Sequence, residues 1–218
     1  MEFLFNYNVT IYQDLFIGGT DTTTTTMEWA MTELLRNPDI MAKAKQELVE
    51  TIGIGLSIEE KDIPRLPYLQ SVLKETMRLH PTAPLLLPHR AEMDVEVCGY
   101  TIPKHTQVFV NAWAIARDPM YWDKPTQFIP ERFMGSEVDF RGTNFSFIPF
   151  GSGRRICPGL ALAVRMLSLL LASLIHHFDW KLPDRMEPED IDMKDKFGIT
   201  MQKAIPLVAI PAVVAKAN

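Results

Sequence analysis

The longest apolar segment of the chain, LALAVRMLSLLLASLI, runs from Leu160 to Ile175. An apolar run of this length must be buried, and it is predicted to form one helix from about residue 159 to 178. It is shorter than the roughly 20 residues that span a bilayer, and Arg165 interrupts it. A buried core helix is therefore predicted in preference to a membrane-spanning one.

Helical periodicity also covers the first third of the chain. Asn37 followed by Pro38 predicts an N-cap with proline at the first helical position, and Gly53 is predicted to end that helix. Ser57 and Glu60 have the spacing of a capping box that opens a short helix. The longer helices are predicted over residues 9–36, 38–52 and 67–80.

The pattern changes after Pro81. Alternating residues and two turn signals in DVEVCGYTIPKHTQVFVNAW predict short strands and hairpins, and KAIPLVAIPAVV predicts C-terminal strands. Residues 117–149 form a long loop with little periodicity, which is usually functional or held by other groups. The predicted fold class is mainly α with minor β, and no domain boundary is predicted within residues 1–218.

The segment GGTDTTTTT, Gly18 to Thr26, stands inside a predicted helix although glycine and threonine are weak helix formers. Gly18, Thr22, Thr25 and Trp29 fall on one helical face, and glycine removes the side chain that would project there. The segment is either a polar linker or a helix weakened where another group lies against it.

Cys157 lies in PFGSGRRICPG, directly before the apolar helix. A helix N-terminus and the neighbouring Arg154 and Arg155 favour thiolate over thiol, while the glycines allow a flat or bulky partner to approach. Because Pro158 has no N–H, the amides of the next two residues are expected to face the sulfur. The thiolate could be a nucleophile or a metal ligand, and the alternative is a small buried hydrophobic residue. His176 and His177 are interpreted as a helix-end pair.

The pattern Phe150-x-x-Gly153-x-Arg155-x-Cys157-x-Gly159 resembles the haem-binding loop of cytochrome P450. Three further segments match the family in its own order, and the resemblance extends over nearly the whole chain. It is strongest to plant microsomal members that hydroxylate terpenoids, the geraniol 8-hydroxylase and ferruginol synthase group. The three segments are Gly18-Gly19-x-Asp21-Thr22-Thr23, Glu75-x-x-Arg78 and Pro130-Glu131-Arg132-Phe133.

The resemblance implies a haem b cofactor whose iron is ligated axially by Cys157. Asp21 and Thr22 would form the acid–alcohol pair that supplies protons during oxygen activation, on a helix distorted by threonine hydroxyls. Arg155 and His89 would hydrogen-bond the haem propionates. The remaining cofactor-binding positions are Gly18, Phe150, Gly153 and Gly159.

The resemblance also assigns supporting parts. Glu75, Arg78 and Arg132 would form a buried charge network that clamps the loop before the cysteine, with a structural role. Residues 82–87 and 198–204 match segments that line the substrate pocket, and Cys98 is interpreted as a core residue.

The implied function is a haem-thiolate monooxygenase that inserts one oxygen atom from O2 into a small lipophilic substrate, a terpenoid. Electrons would come from NADPH through NADPH-cytochrome P450 reductase at the cytosolic face of the endoplasmic reticulum membrane. The chain would be the C-terminal half of the fold, without the family's membrane anchor. The net charge of −5 gives no reason to expect nucleic acid as a partner. The alternative is a truncated, non-catalytic fragment that at most binds haem.

Overall fold

A computed structural model describes residues 2–183, 185–198 and 200–214, with side chains from residue 15 onward. Over these residues the helices are α1 (Glu2–Arg36), α2 (Pro38–Ile52), α3 (Pro67–Leu79), α4 (Ala112–Ile115) and α5 (Leu160–His177). The strands are β1 (His89–Arg90), β2 (Val95–Val97), β3 (Tyr100–Ile102), β4 (Gln107–Val108), β5 (Phe178–Lys181), β6 (Asp195–Lys196), β7 (Gln202–Lys203) and β8 (Ile210–Val213). They pair antiparallel as β1–β4, β2–β3, β5–β8 and β6–β7. The prediction of a mainly α fold with minor β is confirmed.

The core lies where α1, α2, α3 and α5 pack against one another. Each helix contributes apolar side chains that are fully buried, among them Leu34, Leu48, Leu73 and Leu171. Burial of such side chains contributes about 1.5–3 kcal/mol each.

Helix α5 is buried on one face only. Leu167, Leu171 and Ile175 lie in the core, whereas Leu162 and Met166 are exposed. The prediction of a core helix therefore holds for one face, and α5 is also long and apolar enough to cross a membrane by length and composition alone.

Helix α1 begins at Glu2, earlier than the predicted residue 9, because no proline or glycine precedes Gly18 to end a helix there. Helix α2 has its predicted bounds, and Gly53 ends it with φ +98°. Asn37 is the N-cap residue and Pro38 opens the helix, as predicted, but the Asn37 side chain makes no capping hydrogen bond. Its Nδ2 instead donates to the carbonyl oxygen of Glu33 at 2.8 Å, so it extends the end of α1.

The predicted capping box between Ser57 and Glu60 is also wrong. The segment is a 3-10 turn, Glu60–Arg65, and Asp62 Oδ2 accepts a hydrogen bond from the Glu59 amide at 3.0 Å. Pro64 lacks an N–H, which confines the segment to a short turn directly before α3.

The N-terminus of α3 is capped by a side chain of another helix. Glu47 in α2 accepts hydrogen bonds from the amides of Tyr68 at 2.7 Å and Leu69 at 2.9 Å. A carboxylate at a helix N-terminus satisfies free N–H groups and complements the helix dipole. This cap ties α2 to α3 across a short stretch of chain.

Strands β2 and β3 form the predicted hairpin. Cys98 and Gly99 connect them with φ of +51° and +82°, the signs that a two-residue type I′ turn requires. The turn places Cys98 on the surface, so its interpretation as a core residue is wrong.

The last turn of α5 contains a pH-dependent contribution to stability. Burial, and then the neighbouring His177, lower the pKa of His176 below its ordinary value of 6.5. Backbone groups of Leu56 and Gly53 oppose this shift. The unfolded chain therefore binds the proton more tightly than the folded chain. The contribution of neutral His176 is complete above about pH 6.5 and is lost as the pH falls toward the lowered pKa.

We therefore expect His176→Gln to weaken the pH dependence of the unfolding free energy between pH 7 and about pH 5, measured by urea denaturation. His105→Gln is the control, since His105 is exposed and lies in a turn outside α5. An unchanged pH profile in His176→Gln would exclude this origin.

Candidate functional site

Cys157 is exposed and lies just before α5. Its amide donates to the Phe150 carbonyl oxygen at 3.0 Å, which closes the segment between them into a loop; Phe150–Cys157 is called the cysteine loop below. The Leu160 amide donates to the Cys157 carbonyl oxygen at 3.3 Å, so the expectation that this amide faces the sulfur is wrong. The loop presents the thiol outward at the N-terminus of an 18-residue helix.

Glycines set the path of the cysteine loop. Gly151 and Gly153 have φ of +75° and +65°, a region that costs other residues energy. A Cβ added at Gly153 would meet no atom of the described residues within 4 Å, and one at Gly159 would lie 3.7 Å from Cys157 Sγ. Gly159 therefore lies directly beside the sulfur, and Gly153 borders open space.

The other predicted residues of the cysteine loop anchor it or flank the thiol. Phe150 is half-buried against the core and meets the Phe140 ring edge-on at 6.0 Å. Arg155 lies exposed in a short 3-10 turn, Gly153–Arg155. The aromatic ring thus fixes one end of the loop while the arginine faces solvent beside the cysteine.

The threonine-rich segment is part of the continuous helix α1. Thr22 Oγ1 donates to the carbonyl oxygen of Gly18 at 2.8 Å, and Thr20, Thr24 and Thr26 form the same bond four residues back. The hydroxyls bond into the backbone as expected, but they do not interrupt the helix. Gly18 and Asp21 are exposed, and among the described residues a Cβ at Gly18 would meet nothing within 4 Å.

The predicted charge network is present and buried. Glu75 Oε2 accepts from Arg78 Nε at 2.7 Å, and Glu75 Oε1 accepts from Arg132 Nε at 3.0 Å. The side chains of Glu75 and Arg78 are 0% exposed. Glu75 Oε1 also accepts from the Ile129 amide at 2.8 Å, so the carboxylate holds the long loop directly.

Backbone carbonyls complete this network. Arg78 Nη1 donates to the carbonyl oxygens of Ala116 at 2.6 Å and Pro125 at 2.7 Å, so one guanidinium joins distant parts of the loop. The ring of Trp122 lies 5.2 Å from Arg78 Cζ and 5.8 Å from Arg132 Cζ. The placement of this tryptophan between the two arginines could not be predicted from the sequence.

Arg117 lies close enough to the buried guanidinium of Arg78 for the two positive charges to repel each other. Burial, and then the nearby charge of Arg78, lower the pKa of Arg117 to about 10, while Asp195 opposes the shift. Arg117 nevertheless keeps a cation–aromatic contact, with its Cζ 4.2 Å from the Trp113 ring centroid.

The structure brings the two predicted pocket segments together, because the Met201 amide donates to the Thr82 carbonyl oxygen at 2.9 Å. Met201 and Lys203 are buried, whereas Leu87 is 69% exposed. Ile199, which belongs to the second segment, lies outside the described residues.

His89 lies in β1, opposite Val108, and is exposed. The segment before it approaches the cysteine loop, since a Cβ at Gly151 would lie 3.9 Å from Leu86 Cδ1. His89 and Arg155 make no hydrogen bond to each other in the described part of the chain.

A sequence model of the cytochrome P450 family matches residues 7–208. The chain belongs to the cytochrome P450 family. Members of this family carry a haem whose iron is bound by a cysteine thiolate.

Curated relatives include geraniol 8-hydroxylases of Catharanthus roseus and Swertia mussotii, 59% and 58% identical over 91% and 90% of this chain. Geranylhydroquinone 3''-hydroxylase of Arnebia euchroma is 56% identical over 91% of it. The chain spans about 40% of the length of each of these relatives.

Solved structures of a zebra fish cytochrome P450 are similar in fold to this chain. The structure with progesterone has a TM-score of 0.80 and 36% identity, covering 91% of this chain and 44% of the zebra fish chain. The structure with abiraterone has a TM-score of 0.81 and 36% identity, covering 92% and 46%. The fold is therefore part of the cytochrome P450 fold, as the sequence resemblance implied.

Proposed function

We propose that this chain carries the cysteine loop and the oxygen-activating helix of a haem-thiolate monooxygenase. The reaction would insert one oxygen atom of O2 into a small lipophilic substrate. The second oxygen atom would leave as water, with two electrons passed from NADPH through NADPH-cytochrome P450 reductase and two protons, one released by NADPH and one taken from solvent. The observation that carries the proposal is the single exposed thiol at the N-terminus of α5, within a loop shaped by glycines.

The residues fit a flat cofactor that a cysteine thiolate would hold. Cys157 is exposed, and added Cβ atoms at Gly153 and Gly18 would meet none of the described residues within 4 Å. Haem, when bound, would supply the iron at which dioxygen is activated. Cys157 would hold it, Phe150 and Gly159 would flank the ligand, and Arg155 and His89 would pair with the propionates.

Thr22 and Asp21 have complementary properties for proton supply. The Thr22 hydroxyl donates a hydrogen bond to the Gly18 carbonyl oxygen, which leaves the lone pairs of Oγ1 free to accept another hydrogen bond. Asp21 is exposed, so its carboxylate can exchange protons with solvent. We therefore assign proton transfer to this pair, with Asp21 supplying Thr22.

The proposed substrate class is a terpenoid. Similar curated proteins are named for the hydroxylation of geraniol and geranylhydroquinone. The segments joined by the Met201–Thr82 hydrogen bond carry mostly apolar side chains, which suits such a substrate.

The cytosolic face of the endoplasmic reticulum membrane is the proposed location.

A second candidate function is a non-catalytic fragment that at most binds haem. Leu15, Phe16 and Ile17 are consecutive apolar residues of α1 that are 64%, 73% and 65% exposed. Together with the exposed face of α5 they leave large apolar surfaces uncovered, which favours association or poor solubility over turnover.

Reduction of the haem-loaded chain under carbon monoxide tests the proposed site. We expect the red-shifted Soret band of thiolate-ligated haem, because Cys157 is accessible. Turnover of a panel of terpenoids with the reductase then separates the two functions: product formation supports the monooxygenase, and a band without product supports the fragment. A Soret band without the thiolate shift would contradict Cys157 as the iron ligand and leave only the non-catalytic fragment.

A further inference from the structure

Gly142 lies in the long loop, far from the cysteine in sequence, yet its backbone abuts the cysteine loop. A Cβ added there would lie 2.6 Å from the Gly151 carbonyl oxygen and 2.9 Å from Ser152 Cα. Both are backbone atoms, which cannot turn aside as a flexible side chain can. Gly142 also has φ of +69°, a conformation that favours glycine. Only glycine fits between these two segments without displacing one of them.

The contact falls at the bend of the cysteine loop. The Gly151 amide donates to the Ile148 carbonyl oxygen at 3.0 Å, and the Cys157 amide closes the loop on Phe150. A loop closed at its base transmits a displacement at Gly151 and Ser152 to its other end, where the sulfur is attached. Phe147 anchors the segment between Gly142 and the loop, being 1% exposed in the core.

We propose that Gly142 is a positioning residue for Cys157, acting through its close backbone contact with Gly151 and Ser152. It does not touch the thiol. This inference rests on the proposed function, because the position of the sulfur affects activity only if Cys157 binds the haem iron.

The test compares Gly142→Ala with Gly135→Ala. Gly135 is a matched control because its φ of +67° imposes the same conformational cost, while an added Cβ would meet no atom within 4 Å in the part of the chain that the structure describes. In the chain without haem, we expect hydrogen exchange at the Cys157 amide to become roughly tenfold faster in Gly142→Ala. In Gly135→Ala that exchange should follow only the change in overall stability, measured by urea denaturation.

After loading with haem, Gly142→Ala should also lower the share of the thiolate-type Soret band severalfold relative to Gly135→Ala. Gly142→Asn and Gly135→Asn form a second pair, because asparagine tolerates positive φ but keeps the Cβ. It replaces the alanine pair if Gly142→Ala does not fold.

Equal exchange at the Cys157 amide in the two members of a pair, after correction for stability, would overturn the inference. The wild-type carbon monoxide spectrum decides the proposed function separately. Faster exchange together with a wild-type chain that never shows the thiolate band would keep the positioning role and reject the haem site.

Discussion

Glu75→Gln should lower the free energy of unfolding by about 3–5 kcal/mol, the cost of removing one partner from a buried ion pair. Both carboxylate oxygens accept hydrogen bonds, and the donors include Arg78, Arg132 and the Ile129 amide. An amide of the same size would direct an N–H toward these donors and leave two guanidinium groups without their counter-charge. Such a loss is a large part of the stability of an ordinary domain.

Urea denaturation followed by circular dichroism measures this effect, and Glu131→Gln is the matched control. Glu131 lies in the same loop and pairs with Lys43 at 2.6 Å, but both side chains are largely exposed, at 43% and 57%. Exposed pairs contribute little, so this control should remain close to the wild type. If the two variants were equally stable, the buried network would not be what holds the loop.

Cys157→Ala should abolish the thiolate-type Soret band of the reduced carbon monoxide complex. No other atom of that loop can supply a sulfur ligand, and the substitution of an exposed residue should change stability by less than about 0.5 kcal/mol. The loss of the band would therefore report ligation rather than unfolding.

Cys98→Ala provides the control, because Cys98 is also exposed but lies in the turn between β2 and β3. This variant should keep the band. A thiolate-type band that survived in Cys157→Ala and vanished in Cys98→Ala would assign the ligand to the hairpin instead.

The parts of the site that could be predicted are those that depend on residues close together in the sequence. Glu75 and Arg78 are three residues apart on one helix, and their pairing follows from helical geometry. The threonine hydroxyls of α1 bond four residues back, as local backbone competition predicts. Family resemblance added Arg132, whose contact with Glu75 no local rule contains.

The parts that were missed depend on contacts between distant segments. The carbonyl groups of Ala116 and Pro125 meet Arg78 only after a loop without periodicity has folded back on α3. The glycine-sized space at Gly142 exists only because the cysteine loop passes there. Cys98 was misplaced because its position in a tight turn outweighs the usual burial of cysteine.

The carboxylate of Glu47 at the start of α3 bears on the order in which the chain assembles. It joins amides only 21 and 22 residues away, so little chain entropy opposes the meeting of α2 and α3. The contact of Arg132 with Glu75 spans 57 residues, and α5 lies further along still. Helices α2 and α3 can thus pair before α5, which follows the cysteine loop, packs against them.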